Sequence, residues 1–124
     1  MKKEISTTAA PGAIGPYSQG VKTGNLIFVS GQLPIDAKTG NMPSTIKEQT
    51  HQSLENIRHI LEAEGASMNN VVKSTVLLAD MSLFAEMNEV YAQFFTHPFP
   101  ARAAFAVKEL PKQALIEIEL IAAL

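Results

Sequence analysis

Apolar residues recur with two different periods along the chain, and the switches between them lay out its elements. Period two dominates the last quarter. From 102 to 107, Ala103, Phe105 and Val107 fall on one face of a strand, and Arg102, Ala104 and Ala106 fall on the other. From 116 to 121, Ile116, Ile118 and Leu120 share a face opposite Glu117, Glu119 and Ile121. The connection between these two runs is short, 108–114, and Pro111 breaks it. If the large apolar residues of both strands face one core, Arg102 and both glutamates emerge together on the other side. Nearer the start, 20–22 and 26–30 flank Thr23-Gly24-Asn25, a hairpin signal. The runs at 26–29 and 71–78 are apolar with little alternation, and 4–6 reads as a short edge strand.

Helical spacing appears twice. Thr45 and Glu48 stand at capping-box distance, ahead of a stripe of Ile46, Thr50, Leu54, Ile57 and Leu61, with Gly65 where a closing glycine belongs. Ser82 is expected to cap a second helix with the stripe Leu83, Met87, Val90, Tyr91 and Phe94. The resulting order is roughly βββαβαββ, an α+β domain spanning 1–124 with a mixed sheet and two helices on one face. Two helices cannot cover both faces of strands that are apolar on both. The surplus predicts that the uncovered face meets another copy of the chain.

Composition narrows the classes. With 46% apolar and 18% charged residues, this is a globular chain, long enough at 124 residues to bury about two-thirds of its unfolded surface. A net charge of -2 gives no basic footprint for nucleic acid. The absence of cysteine excludes disulfides, thiolate nucleophiles and cysteine zinc sites. Lysines near the start are followed by no apolar leader, and no run reaches the ~18 apolar residues of a membrane helix, so the cytoplasm is the expected compartment.

Few residues suggest chemistry. A guanidinium and carboxylates on a floor of alanines make a plausible site for a small anionic substrate, but Arg102 paired with Glu119 or Glu117 as a cross-strand salt bridge is an equally ordinary reading. Residues 11–16 form a Gly/Pro loop that delivers Tyr17, either a packing lid or a ligand contact. Ser30-Gly31-Gln32 ends a strand, and Gly31 either lets a ligand approach the backbone closely or is a simple bulge or turn glycine. Phe28 occupies the place of the first glycine of a Gly-x-Ser-x-Gly elbow, so Ser30 is not a nucleophile of that kind. Asn88 lies at the margin of the second helical stripe. His51 and His59 have no companion at metal-binding spacing.

Four stretches in order carry a resemblance. Ala13-Ile14-Gly15-Pro16-Tyr17-Ser18-Gln19-Gly20, Val29-Ser30-Gly31-Gln32-Leu33-Pro34, Pro100-Ala101-Arg102, and Leu110-Pro111 with Ile116-Glu117-Ile118-Glu119 together resemble the RidA (YjgF-like) family over nearly the whole chain. The resemblance implies a chorismate-mutase-like fold in a homotrimer with ligand clefts between subunits. It also implies hydrolysis of reactive enamine and imine acids, such as 2-aminoacrylate and 2-iminobutanoate, to 2-keto acids and ammonia. These intermediates are released by pyridoxal-phosphate-dependent dehydratases. No cofactor or metal is implied.

By the same resemblance, Arg102 takes the substrate carboxylate, for which its planar fork is suited. Glu117 orients the attacking water, Tyr17, Ser30 and Asn88 line the pocket, and Gly31 offers its backbone. Ala104 stands where many members carry a cysteine, a position that acts largely through its backbone; thiol-based regulation there is impossible in this chain. Burial would raise the pKa of Glu117 and Arg102 would lower it. A non-catalytic binder, sensor or chaperone of small carboxylates is the rival reading. A ribonuclease or translation inhibitor fits the acidic charge and two tyrosines less well.

Overall fold

The last of six strands in chain order lies inside the sheet, and the rest of the fold is arranged around it. In a computed structural model describing residues 1–124, the strands are β1 (Lys2–Ile5), β2 (Gly20–Thr23), β3 (Leu26–Gln32), β4 (Val71–Leu78), β5 (Ala101–Ala106) and β6 (Ile116–Ala123). The helices are α1 (Ile46–Glu62) and α2 (Phe84–Tyr91). The sheet order is β1-β2-β3-β6-β4-β5, antiparallel throughout except for the parallel pair β4–β5. The order βββαβαββ read from periodicity is therefore the order observed, with the first strand two residues earlier than expected. No helix is long and apolar enough to cross a membrane.

α1 forms where its signals stand. The Thr45 hydroxyl accepts from the Glu48 backbone N–H at 3.1 Å and donates to Glu48 Oε1 at 2.9 Å. At the other end, Ala66 N–H reaches Leu61 O and Gly65 N–H reaches Glu62 O, both at 3.0 Å, the paired bonds of a Schellman closure. Gly65 has φ +76°, which a residue with a Cβ rarely adopts. The stripe Ile46, Thr50, Leu54, Ile57 and Leu61 is buried against Ile27, Val76, Ile116 and Ile118 of the sheet. Each fully buried leucine or isoleucine contributes about 1.5–3 kcal/mol. The second helix starts differently from expectation. Asp80, not Ser82, supplies the cap: its carboxylate accepts from Ser82 N–H at 2.8 Å and opens a short 3₁₀ turn, Met81–Leu83, that runs into α2.

Both helices lie on one face of the sheet. On the uncovered face, Leu26, Phe28, Val72 and Phe105 are each 37–47% exposed, the apolar surplus anticipated from the unalternating strands. Phe105 corrects the expected facing of β5. Its partner on β4 is Leu77, which pairs on the other side with Glu117, so Phe105 and Glu117 share the uncovered face. Arg102 pairs with Ser74, which is fully buried and pairs with Leu120; Arg102 and Ala104 therefore face the helices.

Candidate functional site

The site residues fall into two groups, one on each face of the sheet. The first group is built on a bulge at the end of β3. Val29 pairs with Leu120 and Gln32 with Ile118, so Ser30 and Gly31 together oppose Glu119. The bulge is held from both sides. Ser30 donates its N–H to Gln19 O at 2.9 Å and its hydroxyl to Ser18 O at 2.6 Å. The Gln32 carbonyl accepts from the buried Ser53 hydroxyl of α1 at 2.9 Å.

Gly31 passes directly beneath Glu117. A Cβ built on Gly31 would overlap the Glu117 carboxylate and lie 2.9 Å from its Cδ, so the absence of a side chain at 31 defines where the carboxylate rests. Tyr17, Ser30, Gly31, Leu33, Pro111, Glu117 and Glu119 line a cleft of about 400 Å³. The Tyr17 hydroxyl accepts from Ile14 N–H at 3.4 Å, and the ring is half exposed. Burial, and then the neighbouring charge of Glu119, push the Glu117 carboxyl above its ordinary value. The downward pull expected from Arg102 is not among the causes, because Arg102 is not near it.

The second group gathers on α2 and β5. Arg102 Nη1 donates to Asn88 Oδ1 at 2.7 Å. The guanidinium carbon lies 4.7 Å from the ring centroid of Tyr91 and 5.4 Å from that of Phe84. Asn88, Tyr91, Ala92, Phe99, Pro100 and Arg102 line a cleft of about 390 Å³. Ala104 is two residues along the same face, paired with Val76 and packed at the edge of the core.

These placements correct the expectation that Arg102 and the two glutamates emerge together. β4 separates β5 from β6, and the register puts Arg102 on the helix side while Glu117 and Glu119 stand on the uncovered side. The proposed cross-strand salt bridge is absent for the same reason. Arg102 forms no ion pair, and neither glutamate pairs with a cation of this chain. One group is thus an uncompensated cation and the other an uncompensated pair of carboxylates.

Several supporting residues carried no motif signal of their own. Gln49, Ser53 and Asn56 form a second, polar stripe on α1, and all three are buried. Asn56 Nδ2 donates to Leu33 O at 3.1 Å and Ile35 O at 3.0 Å, while Gln49 Oε1 accepts from Leu115 N–H at 2.9 Å. The helix thereby pins the chain just after Gly31 and just before β6. Their i, i+4, i+7 spacing beside the apolar stripe was the available signal. Gln19, 3% exposed, ties the loop before Tyr17: its Oε1 accepts from Thr7 N–H at 2.7 Å, and its Nε2 donates to Pro11 O at 2.8 Å. His51 stacks edge-on to Phe94 and His59 Nδ1 lies 2.9 Å from Ala9 O; no group of three or more potential metal ligands is assembled.

The chain is similar to known proteins over nearly its whole length. Residues 7–124 match the family model described as Endoribonuclease L-PSP. A RutC family protein of Pyrococcus horikoshii is 58% identical over 123 residues, covering 98% of each chain. The 2-iminobutanoate/2-iminopropanoate deaminase of Escherichia coli K12 is 48% identical over 125 residues, again covering 98% of each. Among solved structures, E. coli TdcF with bound serine superposes with a TM-score of 0.94 at 46% identity, covering 98% of both chains. RidA from an Antarctic Psychrobacter superposes with a TM-score of 0.95 at 47% identity, covering 98% of this chain and 99% of that one. The six-stranded mixed sheet under two helices is the chorismate-mutase-like fold these proteins share, and the chain belongs to the RidA (YjgF-like) family.

Proposed function

We propose that this protein hydrolyses 2-imino and 2-enamino acids to 2-keto acids and ammonia, in clefts formed between the subunits of a homotrimer. The observation that carries the reading is the separation of the two half-sites. Arg102, with Asn88, is a cation lacking an anion, and Glu117, with Tyr17, Ser30 and Gly31, is an anionic cleft lacking a cation. Neither half can hold and hydrolyse an anionic substrate alone. The apolar residues of the uncovered face supply a reason for copies to associate, and association would bring one protomer's Glu117 half against another's Arg102 half. The E. coli deaminase relative and the serine-bound TdcF structure support a small α-carboxylate ligand.

The chemistry asks little of the protein. An iminium carbon is already electrophilic, so positioning and a moderate base suffice. With Nη1 held by Asn88, the rest of the Arg102 guanidinium is available to a substrate carboxylate. Glu117, made a stronger base by burial and by the charge of Glu119, takes a proton from water as the water oxygen bonds to the imine carbon. Glu117 passes that proton to the carbinolamine nitrogen; the hydroxyl then gives its own proton back to the carboxylate as C=O forms and the C–N bond breaks, releasing ammonia and the keto acid. A ribonuclease reading, suggested by the family description, is disfavoured by two carboxylates in the cleft, which repel phosphate.

The test is complementation. Arg102→Ala and Glu117→Gln should each lose most activity alone, Arg102→Ala by at least about tenfold in kcat/KM from one lost charge-assisted contact. Glu117→Gln should keep keto-acid affinity, which distinguishes an enzyme from a binder. When the two variants are unfolded together and refolded as a mixture, about a quarter of the clefts in random trimers would combine both intact residues and recover activity. No recovery, with mixed assembly verified by mass, would reject the intersubunit cleft.

A further inference from the structure

We infer that Tyr91 is a positioning residue for the substrate-binding arginine, setting the plane and reach of the Arg102 guanidinium through its ring face. This rests on the reading of Arg102 as the carboxylate clamp, and extends it to a residue that does not touch substrate. Tyr91 is 5% exposed and belongs to α2, whereas Arg102 belongs to β5, so the contact joins two elements that could otherwise slide. The guanidinium carbon stands 4.7 Å from the Tyr91 centroid, within the range of a cation–π contact, and this is the nearer of its two aromatic neighbours.

The ring is itself fixed from below. The Tyr91 hydroxyl is 2.6 Å from the Ser74 hydroxyl, and Ser74 is fully buried on β4. Ser74 is also the residue directly paired with Arg102 across the parallel β4–β5 register. Phe95 packs against the same ring, centroids 4.6 Å apart. A triangle results: the backbone places Ser74 beside Arg102, Ser74 anchors the phenol, and the phenol's face returns to the Arg102 side chain. Asn88, three residues earlier on the same helix, takes Nη1 at 2.7 Å. One hydrogen bond fixes an edge of the guanidinium but leaves it free to rotate about that bond; the ring face removes this freedom. An arginine with four flexible torsions is thereby pre-organised before substrate arrives, which lowers the entropy lost on binding.

The experiment compares Tyr91→Leu, Tyr91→Phe and Arg102→Ala in the full-length protein. Affinities for 2-oxobutanoate and for its neutral amide are measured by calorimetry, alongside KM and kcat for imine hydrolysis and the thermal midpoint. Tyr91→Leu should weaken 2-oxobutanoate about five- to thirtyfold, the size of a desolvated cation–π contact, and raise KM more than it lowers kcat. The amide, which makes no use of a charged clamp, should bind as before. Tyr91→Phe keeps the ring and should recover most of the loss. Equal weakening of keto acid and amide by Tyr91→Leu would make the ring a packing element and overturn the inference. Unchanged keto-acid affinity in Tyr91→Leu, with Arg102→Ala still weakened, would overturn it while leaving the clamp intact. Unchanged affinity in Arg102→Ala would remove the clamp and the inference together.

Discussion

Replacing Gly31 by alanine adds one methyl group beneath the residue assigned to direct water. The new Cβ would lie 2.9 Å from Glu117 Cδ and 3.2 Å from its Cγ, and would overlap the carboxylate itself. Gly31 is not among the residues with positive φ, so alanine is compatible with the backbone there. The bulge is also tied on both sides, through Ser30 to Gln19 and through Gln32 to Ser53. The glutamate side chain must therefore yield. Driving it off its rotamer costs about 0.5–1.5 kcal/mol, and the reduced freedom of the unfolded chain offsets about 0.4–1 kcal/mol of that. Stability should change by less than about 1 kcal/mol in urea denaturation. Catalysis is far more sensitive, since displacing a reacting group by 1 Å can cost about a hundredfold. The assay pairs initial rates of imine hydrolysis with calorimetric affinity for 2-oxobutanoate. The rate should fall about a hundredfold while affinity, governed by the Arg102 half, holds. A fully active Gly31→Ala protein would refute the claim that this carboxylate's position matters.

Other expectations follow from the same geometry. Glu119→Gln removes the like charge beside Glu117, so the acidic limb of the rate profile should move to lower pH; an unmoved limb would dissociate the two carboxylates. Because folding raises the Glu117 pKa above the ordinary 4.5, the folded state holds this proton more tightly, and stability falls as pH rises through that window. Glu117→Gln should therefore gain stability over the wild type at pH 7 and lose that advantage below pH ~4, measured by urea midpoints at both. Asn56→Ala would strip a donor from the Leu33 and Ile35 carbonyls and should cost about 1–3 kcal/mol in the same denaturation assay.

Much of the fold was legible in residue order. The α1 stripe and its closing glycine, the Thr23-Gly24-Asn25 hairpin and the strand sequence all follow from period and turn chemistry. The facing of β5 did not, and the reason is physical. Ala101-Arg102-Ala103-Ala104-Phe105-Ala106 has a single large apolar residue, and size alone assigned Phe105 to the core. In an edge strand, facing is decided by register with the neighbour, and Ser74 opposite Arg102 carries no sign of that pairing in sequence. The cap of α2 was misplaced because a 3₁₀ turn precedes the helix, moving the capping residue from Ser82 to Asp80. Arg102 and Glu117 could each be singled out by motif; that they belong to opposite faces could only come from three dimensions.

The interior place of β6 bears on how the molecule is made. β3 and β4 are not neighbours; β6 lies between them, pairing Phe28 with Ile121 on one side and Ser74 with Leu120 on the other. Until that strand emerges from the ribosome, β3 and β4 each present a bare edge, and the sheet is two unjoined halves. Closing it unites segments far apart in sequence, the slow kind of pairing. Glu117 rides on that very strand, so the carboxylate cleft does not exist on any nascent chain that lacks β6. The carboxylate half-site and the completed sheet therefore arrive together.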